Sequence, residues 1–401
     1  MLNKIHYLLF LFLPCMLSCS KATEPTGELP VHPGAYQFDS ILPNIEGKKI
    51  AIIANHASLV GNVHLVDTLL SLNASSKLAY DIEAVFSPEH GFSGLFDAGK
   101  VIDDEDYIFD SIKVVSLYGK NKKPKAKDIE NLDVILFDLQ DVGVRFYTYI
   151  STLHYVMQAC AENNIDLIIL DRPNPHIHYI DGPLLEKPHN SFVGMHEVPT
   201  VYGMTIGEYG RMIEGESWIG DSLHCNLKVI PVLNYSRRTR YSFTTKPSPN
   251  LPNMRSVLLY PSLCFFEGTK MSIGRGTSYP FQIVGHPEYP IDSFEFKPVS
   301  TPGASLYPKL QDKVCYGESF LPIPMDTLWG VNRLRLDILM DTYAKMGKPS
   351  DFFTDYFTLL AGTTKLQEQL EQGLTEKEIR ESWKPGLESF NRIRSKYLLY
   401  E

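Results

Sequence analysis

Five short runs, each apolar on both faces of a strand, constrain this chain more than any other feature. They are Lys49–Ala54, Ile82–Phe86, Lys113–Leu117, Val134–Phe137 and Leu167–Leu170. Helix-length segments separate them. Leu65 to Leu72 predicts a short helix, and Ile150, Leu153, Val156, Met157 and Cys160 recur at helical spacing until Asn163-Asn164 stops the pattern. A strand that is apolar on both faces must be covered on both faces. The alternation therefore predicts an α/β fold, a Rossmann-like and mostly parallel sheet with helices on both faces. No G-x-G-x-x-G follows the first strand and no G-x-x-x-x-G-K-[ST] occurs, so no nucleotide cofactor is expected. From about residue 290 Pro-rich loops give way to charged helical stretches, Thr364 to Gln372 and Glu376 to Trp383. This reads as a smaller C-terminal α+β auxiliary domain. The expected division is a signal peptide over 1–18, a Pro- and Gly-containing tether over 19–45, a catalytic domain over 46–285 and the auxiliary domain over 286–401.

The beginning of the chain predicts its destination. Lys4 precedes the apolar run Tyr7-Leu8-Leu9-Phe10-Leu11-Phe12-Leu13, which is too short for a bilayer span and has the length of a secretion signal. Ser18 just before Cys19 resembles a bacterial lipoprotein cleavage site, which would leave Cys19 acylated and the protein anchored to a membrane. Plain secretion is the alternative. Cys15 would be removed with the signal, and the remaining cysteines, Cys160, Cys225, Cys264 and Cys315, match no zinc or redox spacing. A net charge of −9 without a clustered basic stripe argues against nucleic acid as a partner, while leaving room for a local basic pocket.

Open parallel sheets bind ligands outside the carboxyl ends of their strands. There the sequence places Asn55-His56, Ser87-Pro88-Glu89-His90-Gly91, then Asp138, Gln140, Asp141 and Arg145, and Asp171-Arg172-Pro173-Asn174-Pro175. A later apolar stretch, Leu258 to Phe266, reads as a further strand leading into Glu267-Gly268-Thr269 and Gly274-Arg275-Gly276-Thr277. The rim is rich in carboxylates and has no G-x-S-x-G nucleophile elbow. Paired carboxylic groups suit glycoside hydrolysis, in which one protonates the leaving oxygen. Glu89 is the first candidate for that acid, in a turn bounded by Pro88 and Gly91 beside Phe86 and Phe92. Glu267, Asp138 and Asp141 are candidates for the second role, although Asp141 can instead cap the next helix and Asp138 can pair with Arg145 or Arg172. Tyr147 and Tyr149 can stack on sugar faces or belong to the core. His90, and His176 with His178, invite a metal reading, but no third ligand stands at motif spacing and no metal is expected.

Phe86-Ser87-Pro88-Glu89-His90-Gly91-Phe92, Phe137-Asp138-Leu139-Gln140-Asp141-Val142-Gly143 with Arg145-Phe146-Tyr147-Thr148-Tyr149, and Asp171-Arg172-Pro173-Asn174-Pro175 stand in order. Gly203-Met204-Thr205-Ile206-Gly207-Glu208, Pro247-Ser248-Pro249-Asn250, Glu267-Gly268-Thr269 and Gly274-Arg275-Gly276-Thr277 follow. Over residues 45 to 400 this series resembles the NamZ-type exo-β-N-acetylmuramidases. The resemblance implies exo-cleavage of N-acetylmuramic acid from peptidoglycan-derived glycan, in a cleft between a Rossmann-like domain and a C-terminal domain. It implies Glu89 as the catalytic glutamate. From their places on the rim, His90, Gln140, Asp141, Arg145, Tyr147, Arg172, Asn174 and Arg275 are the residues expected around the sugar. The muramic lactyl carboxylate calls for a cation. Arg275, between two glycines, is the first candidate, with Arg145 and Arg172 as alternatives. The chain departs from the family pattern at His176-Ile177-His178, at Tyr202 and at Lys270.

Overall fold

The computed structural model describes residues 29–75, 79–89, 91–92, 108–109, 112–290 and 294–401. Its central sheet has six parallel strands: β1 (Lys49–Ala54), β2 (Asp81–Ser87), β3 (Ile112–Ser116), β4 (Val134–Asp138), β5 (Asp166–Leu170) and β6 (Leu227–Ile230). They lie in the order β6-β5-β4-β1-β2-β3, and the two-residue strand Ile108–Phe109 pairs antiparallel with β3. Register pairs Ile53 of β1 with Phe86 of β2 on one side and with Phe137 of β4 on the other. The strand order reverses between β1 and β4, the arrangement of a Rossmann-like sheet.

Alternation of side chains along each strand divides the core in two. Ala51, Ile53, Phe86, Ile135, Phe137, Leu167 and Ile169 enter one apolar cluster, with α3 (Tyr149–Asn163) and α4 (Ile206–Gly215). Ile50, Ile52, Val85, Val134, Leu136, Ile168 and Leu170 enter the other, with α1 (Phe38–Ile45) and α2 (Leu65–Ser75). Helices thus cover both faces, and each fully buried Ile, Leu or Phe contributes roughly 1.5–3 kcal/mol. Local signals set the helix ends. Asn164 closes α3 in the left-handed conformation, and Thr205 with Glu208 forms a capping box at the start of α4.

The smaller C-terminal domain has a three-stranded antiparallel sheet, β7 (Ile283–His286), β8 (Glu295–Phe296) and β9 (Cys315–Ser319), in the order β7-β9-β8. Five helices follow: α5 (Met325–Trp329), α6 (Leu336–Lys345), α7 (Asp355–Ala361), α8 (Lys365–Glu371) and α9 (Glu376–Arg394). Their apolar residues, including Phe357, Leu360, Trp383 and Phe390, join the same cluster as α3 and α4. By its contacts Val31–Glu401 is one unit.

Two segments differ from expectation. The stretch Leu258–Phe266 is not a strand. Met254–Leu263 forms a helix with a capping box of Asn253 and Ser256, followed by a 3-10 turn over Cys264–Gly268. Nearly every residue of it is buried, so the period that marks a surface helix is missing from its sequence. Residues 38–45, expected as the end of the tether, form α1, whose Ile41 and Ile45 are four residues apart and fully buried. The predicted signal segment, Cys19 and the tether up to residue 28 lie outside the described residues, as does His90.

Candidate active site

Arg172 and Asp138 meet at the switch point between β1 and β4, where open sheets of this kind commonly bind ligands. The guanidinium gives Nε to Asp138 Oδ1 at 2.5 Å and Nη2 to Oδ2 at 2.7 Å, with both side chains buried. Only a small cavity of about 20 Å³ remains beside the pair. Gln140, also on its wall, spends its amide on the carbonyls of Asp141 and Pro173.

A far larger cavity, about 860 Å³, lies elsewhere. Its walls come from the ends of β2 and β3 (Glu89, Tyr118), the loop after β4 (Phe146 to Tyr149), Phe192, and the segment Ser248–Leu251. Glu267, Arg275, the loop Ala304–Lys309, and Tyr356 and Leu360 of α7 complete it. Both domains therefore build it. Asn250 joins them by donating to the carbonyl of Ala304 at 2.7 Å.

Glu89 stands two residues past the end of β2. Gly91, at φ +70°, donates its N–H to Pro88 at 3.0 Å and closes a tight turn around it. The half-buried carboxyl accepts a hydrogen bond from Thr148 Oγ1 to Oε2 at 2.9 Å, at the N-terminus of α3. Tyr147 lines the cavity too, and its hydroxyl donates to Pro247 O at 2.9 Å.

Glu267 sits in the 3-10 turn and meets Arg275 in a two-point ion pair, Nε to Oε1 at 2.5 Å and Nη2 to Oε2 at 3.0 Å. Burial works against the charged guanidinium, and the carboxylate more than offsets this, so Arg275 is held above its ordinary range. The ring of Phe281 lies 5.0 Å from the guanidinium carbon. Gly274 and Gly276 are glycines because both adopt positive φ. A Cβ at Gly276 would stand 2.5 Å from Val299 O. They serve the turn that aims Arg275, not a ligand's approach. The phenol of Tyr356 is pushed up mainly by desolvation, then by Glu267 and, more weakly, by Glu89, so both carboxylates act on one wall of the cavity.

Of the expected site residues, the cavity thus gathers Glu89, Glu267, Tyr147 and Arg275. Asp138, Gln140, Asp141, Arg145, Arg172 and Asn174 do not line it, and their bonds are structural. Asp141 accepts from Gly143 N and Tyr202, keeps Oδ1 unpartnered, and is pushed up to about 6 by burial. Arg145 is fully buried and, among the described residues, pairs with no carboxylate. It donates to Pro183 O (2.8 Å), Val198 O (2.7 Å), Leu360 O (3.0 Å) and Ala361 O (2.6 Å), and desolvation lowers it to about 9. The last two carbonyls end α7, where the helix dipole favours a cation. Asn174 bonds Met204 O and the N–H of His176. His176 and His178 are each within hydrogen-bond reach of a backbone carbonyl, Val142 and Val331. Among the described residues no three His, Cys, Asp or Glu side chains are grouped to hold a metal ion.

The structure adds lining residues that the sequence reading did not single out: Tyr118, Lys122, Phe192, Tyr307 and Lys309. Lys122 belongs to Asn121-Lys122-Lys123-Pro124-Lys125, which reads as an ordinary solvated loop.

Residues 50–255 match the family described as exo-β-N-acetylmuramidase NamZ, N-terminal, and residues 258–400 match the corresponding C-terminal family. The peptidoglycan β-N-acetylmuramidase NamZ of Bacillus subtilis (strain 168) is 34% identical over 384 residues, 90% of either chain. The crystal structure of a DUF1343 family protein from Bacteroides fragilis NCTC 9343 superposes with a TM-score of 0.83 at 40% identity, covering 93% of this chain and 99% of that one. A second from the same organism gives 0.76 at 27% identity, covering 92% and 99%. With both halves matched and a curated relative similar along nearly its whole length, the chain belongs to the NamZ exo-β-N-acetylmuramidase family.

Proposed function

We propose that the protein is an exo-acting glycoside hydrolase that releases N-acetylmuramic acid from the non-reducing ends of peptidoglycan fragments, with Glu89 as general acid. The observation that carries this reading is that Glu89 and the Glu267–Arg275 pair line one cavity of about 860 Å³ walled by aromatic rings. Glu89 gives its proton to the glycosidic oxygen as the bond breaks, and the Thr148 bond fixes the orientation of its carboxyl. Glu267, held by Arg275, presents negative charge to the oxocarbenium-like transition state and is the candidate for the second carboxylate. Tyr118, Tyr147 and the strongly exposed Tyr307 offer rings to the sugar faces. Because peptidoglycan lies outside the cytoplasmic membrane, the reading includes export to the periplasm and anchoring through Cys19, supported by the apolar run and Ser18-Cys19.

The test is the product formed from a β-1,4-linked N-acetylmuramic acid–N-acetylglucosamine disaccharide and from longer glycan. Free N-acetylmuramic acid released one residue at a time, unaffected by chelator, is the expected result. Binding without turnover would instead favour a sugar-binding lipoprotein of the envelope, and chelator-sensitive cleavage of an amide or ester would favour a metal-dependent hydrolase.

A further inference from the structure

Among the described residues, three cationic side chains line the cavity: Lys122, Arg275 and Lys309. Two are already engaged. Arg275 gives Nε and Nη2 to Glu267, so its charge is neutralised within the wall. Lys309 directs its ammonium at the carbonyls of Phe266, Glu267 and Thr269 at the end of the 3-10 turn, and desolvation lowers its basicity. Lys122 differs. Its Nζ lies 4.5 Å from the centroid of the Phe192 ring, and among the described residues it meets no carboxylate or carbonyl.

The platform under this cation is fixed. Ser151 of α3 donates to the Phe192 carbonyl at 2.8 Å, Tyr155 stacks on the Phe192 ring with centroids 6.4 Å apart, and Tyr118 closes its side at 6.1 Å. A ring face holds an ammonium by cation–π attraction without supplying a counter-charge, so the cation can still pair with an anion. We propose that Lys122 recognises the lactyl carboxylate of N-acetylmuramic acid, so that Lys122, not Arg275, sets the choice between a muraminide and the corresponding glucosaminide. This rests on the activity proposed above.

The test compares Lys122→Met and Lys122→Arg with the wild type on a nitrophenyl N-acetylmuraminide and on its lactyl amide, which has the same shape without the charge. A charge-assisted bond at a partly open site predicts a roughly ten- to hundredfold loss of kcat/KM for Lys122→Met on the acid, carried by KM, with little change on the amide. Lys122→Arg, which keeps the charge over the ring, should restore most of the preference. An equal loss on both substrates, or no loss on the acid, overturns the assignment. If the wild type cleaves no muraminide, the activity reading is what fails. Calorimetry with free N-acetylmuramic acid and its amide then decides the role of Lys122. A preference for the acid that Lys122→Met abolishes supports it, and a preference that is absent or survives the substitution overturns it.

Discussion

Replacing Glu89 by glutamine removes one proton and little else. The turn that carries residue 89 is closed by backbone, Gly91 N–H to Pro88 O, and does not depend on the carboxyl. Thr148 Oγ1 donates to Oε2 at 2.9 Å, and a glutamine amide oxygen accepts the same bond. In its acid form the carboxyl is a neutral acceptor, as the amide is, so this bond of roughly 0.5–1.5 kcal/mol is kept and ground-state binding changes little. Loss of a general acid lowers the rate by ~10²–10⁴-fold, or about 3–5.5 kcal/mol. The damage should therefore fall on kcat and leave KM nearly unchanged. The assay measures both constants for Glu89→Gln on the natural disaccharide and on a nitrophenyl muraminide, alongside a denaturation curve to confirm folding. Nitrophenolate leaves without a proton, so the defect should shrink on the second substrate. Near-normal kcat on the disaccharide in a folded variant, or an equal defect on both substrates, would refute the role and direct attention to Glu267.

Arg275→Ala should lower kcat roughly ten- to hundredfold by the same factor on the muraminide and its lactyl amide, since Arg275 holds Glu267; a loss confined to the acid would make Arg275 the lactyl-reading cation. Asp138→Ala leaves the Arg172 guanidinium buried without its partner and should cost about 3–5 kcal/mol in urea unfolding, with a cost below about 1 kcal/mol counting against the account. Burial raises Asp141 from 3.8 to about 6, so the folded chain holds that proton more tightly than the unfolded chain. Its contribution is complete below about pH 4 and disappears as pH rises through 6, worth at most roughly 3 kcal/mol. Stability relative to Asp141→Asn, followed by urea unfolding from pH 4 to 7.5, should fall accordingly, and a flat difference would contradict the sign. Cys19→Ala should move the protein from the membrane to the soluble envelope fraction, and unchanged membrane association would remove the anchor.

The sequence showed the sheet where strands are buried on both faces. β1 and β4 announce themselves because every neighbouring position must be apolar. β6 escaped notice because it is an edge strand of four residues, half-exposed along one face. Helix α1 was hidden by Pro30, Pro33 and Pro43, which suggest a tether, although its pair Ile41 and Ile45 is enough to dock it. At the site, the turn around Glu89 was legible because Pro88 and Gly91 specify it locally. The Asp, Gln, Arg and Asn residues after β4 and β5 have the same appearance in sequence whether they touch a ligand or hold a loop. What separates them is a distant partner, such as Leu360 for Arg145, 215 residues away. Lys122 is the converse case, since only the placement of Phe192 distinguishes it from its neighbours in a basic loop.

The bond from Arg145 to the end of α7 also bears on timing. Chains are synthesised from the N-terminus, so Glu89, Tyr147 and the sheet that carries them exist well before Tyr356, Leu360 and the carbonyls that anchor Arg145. A nascent chain lacking its last hundred residues or so is without one wall of the cavity and has a buried-type arginine with half its acceptors missing. The fold thus has a built-in latency: a catalyst aimed at the cell wall acquires its enclosed site only once nearly the whole polypeptide has emerged.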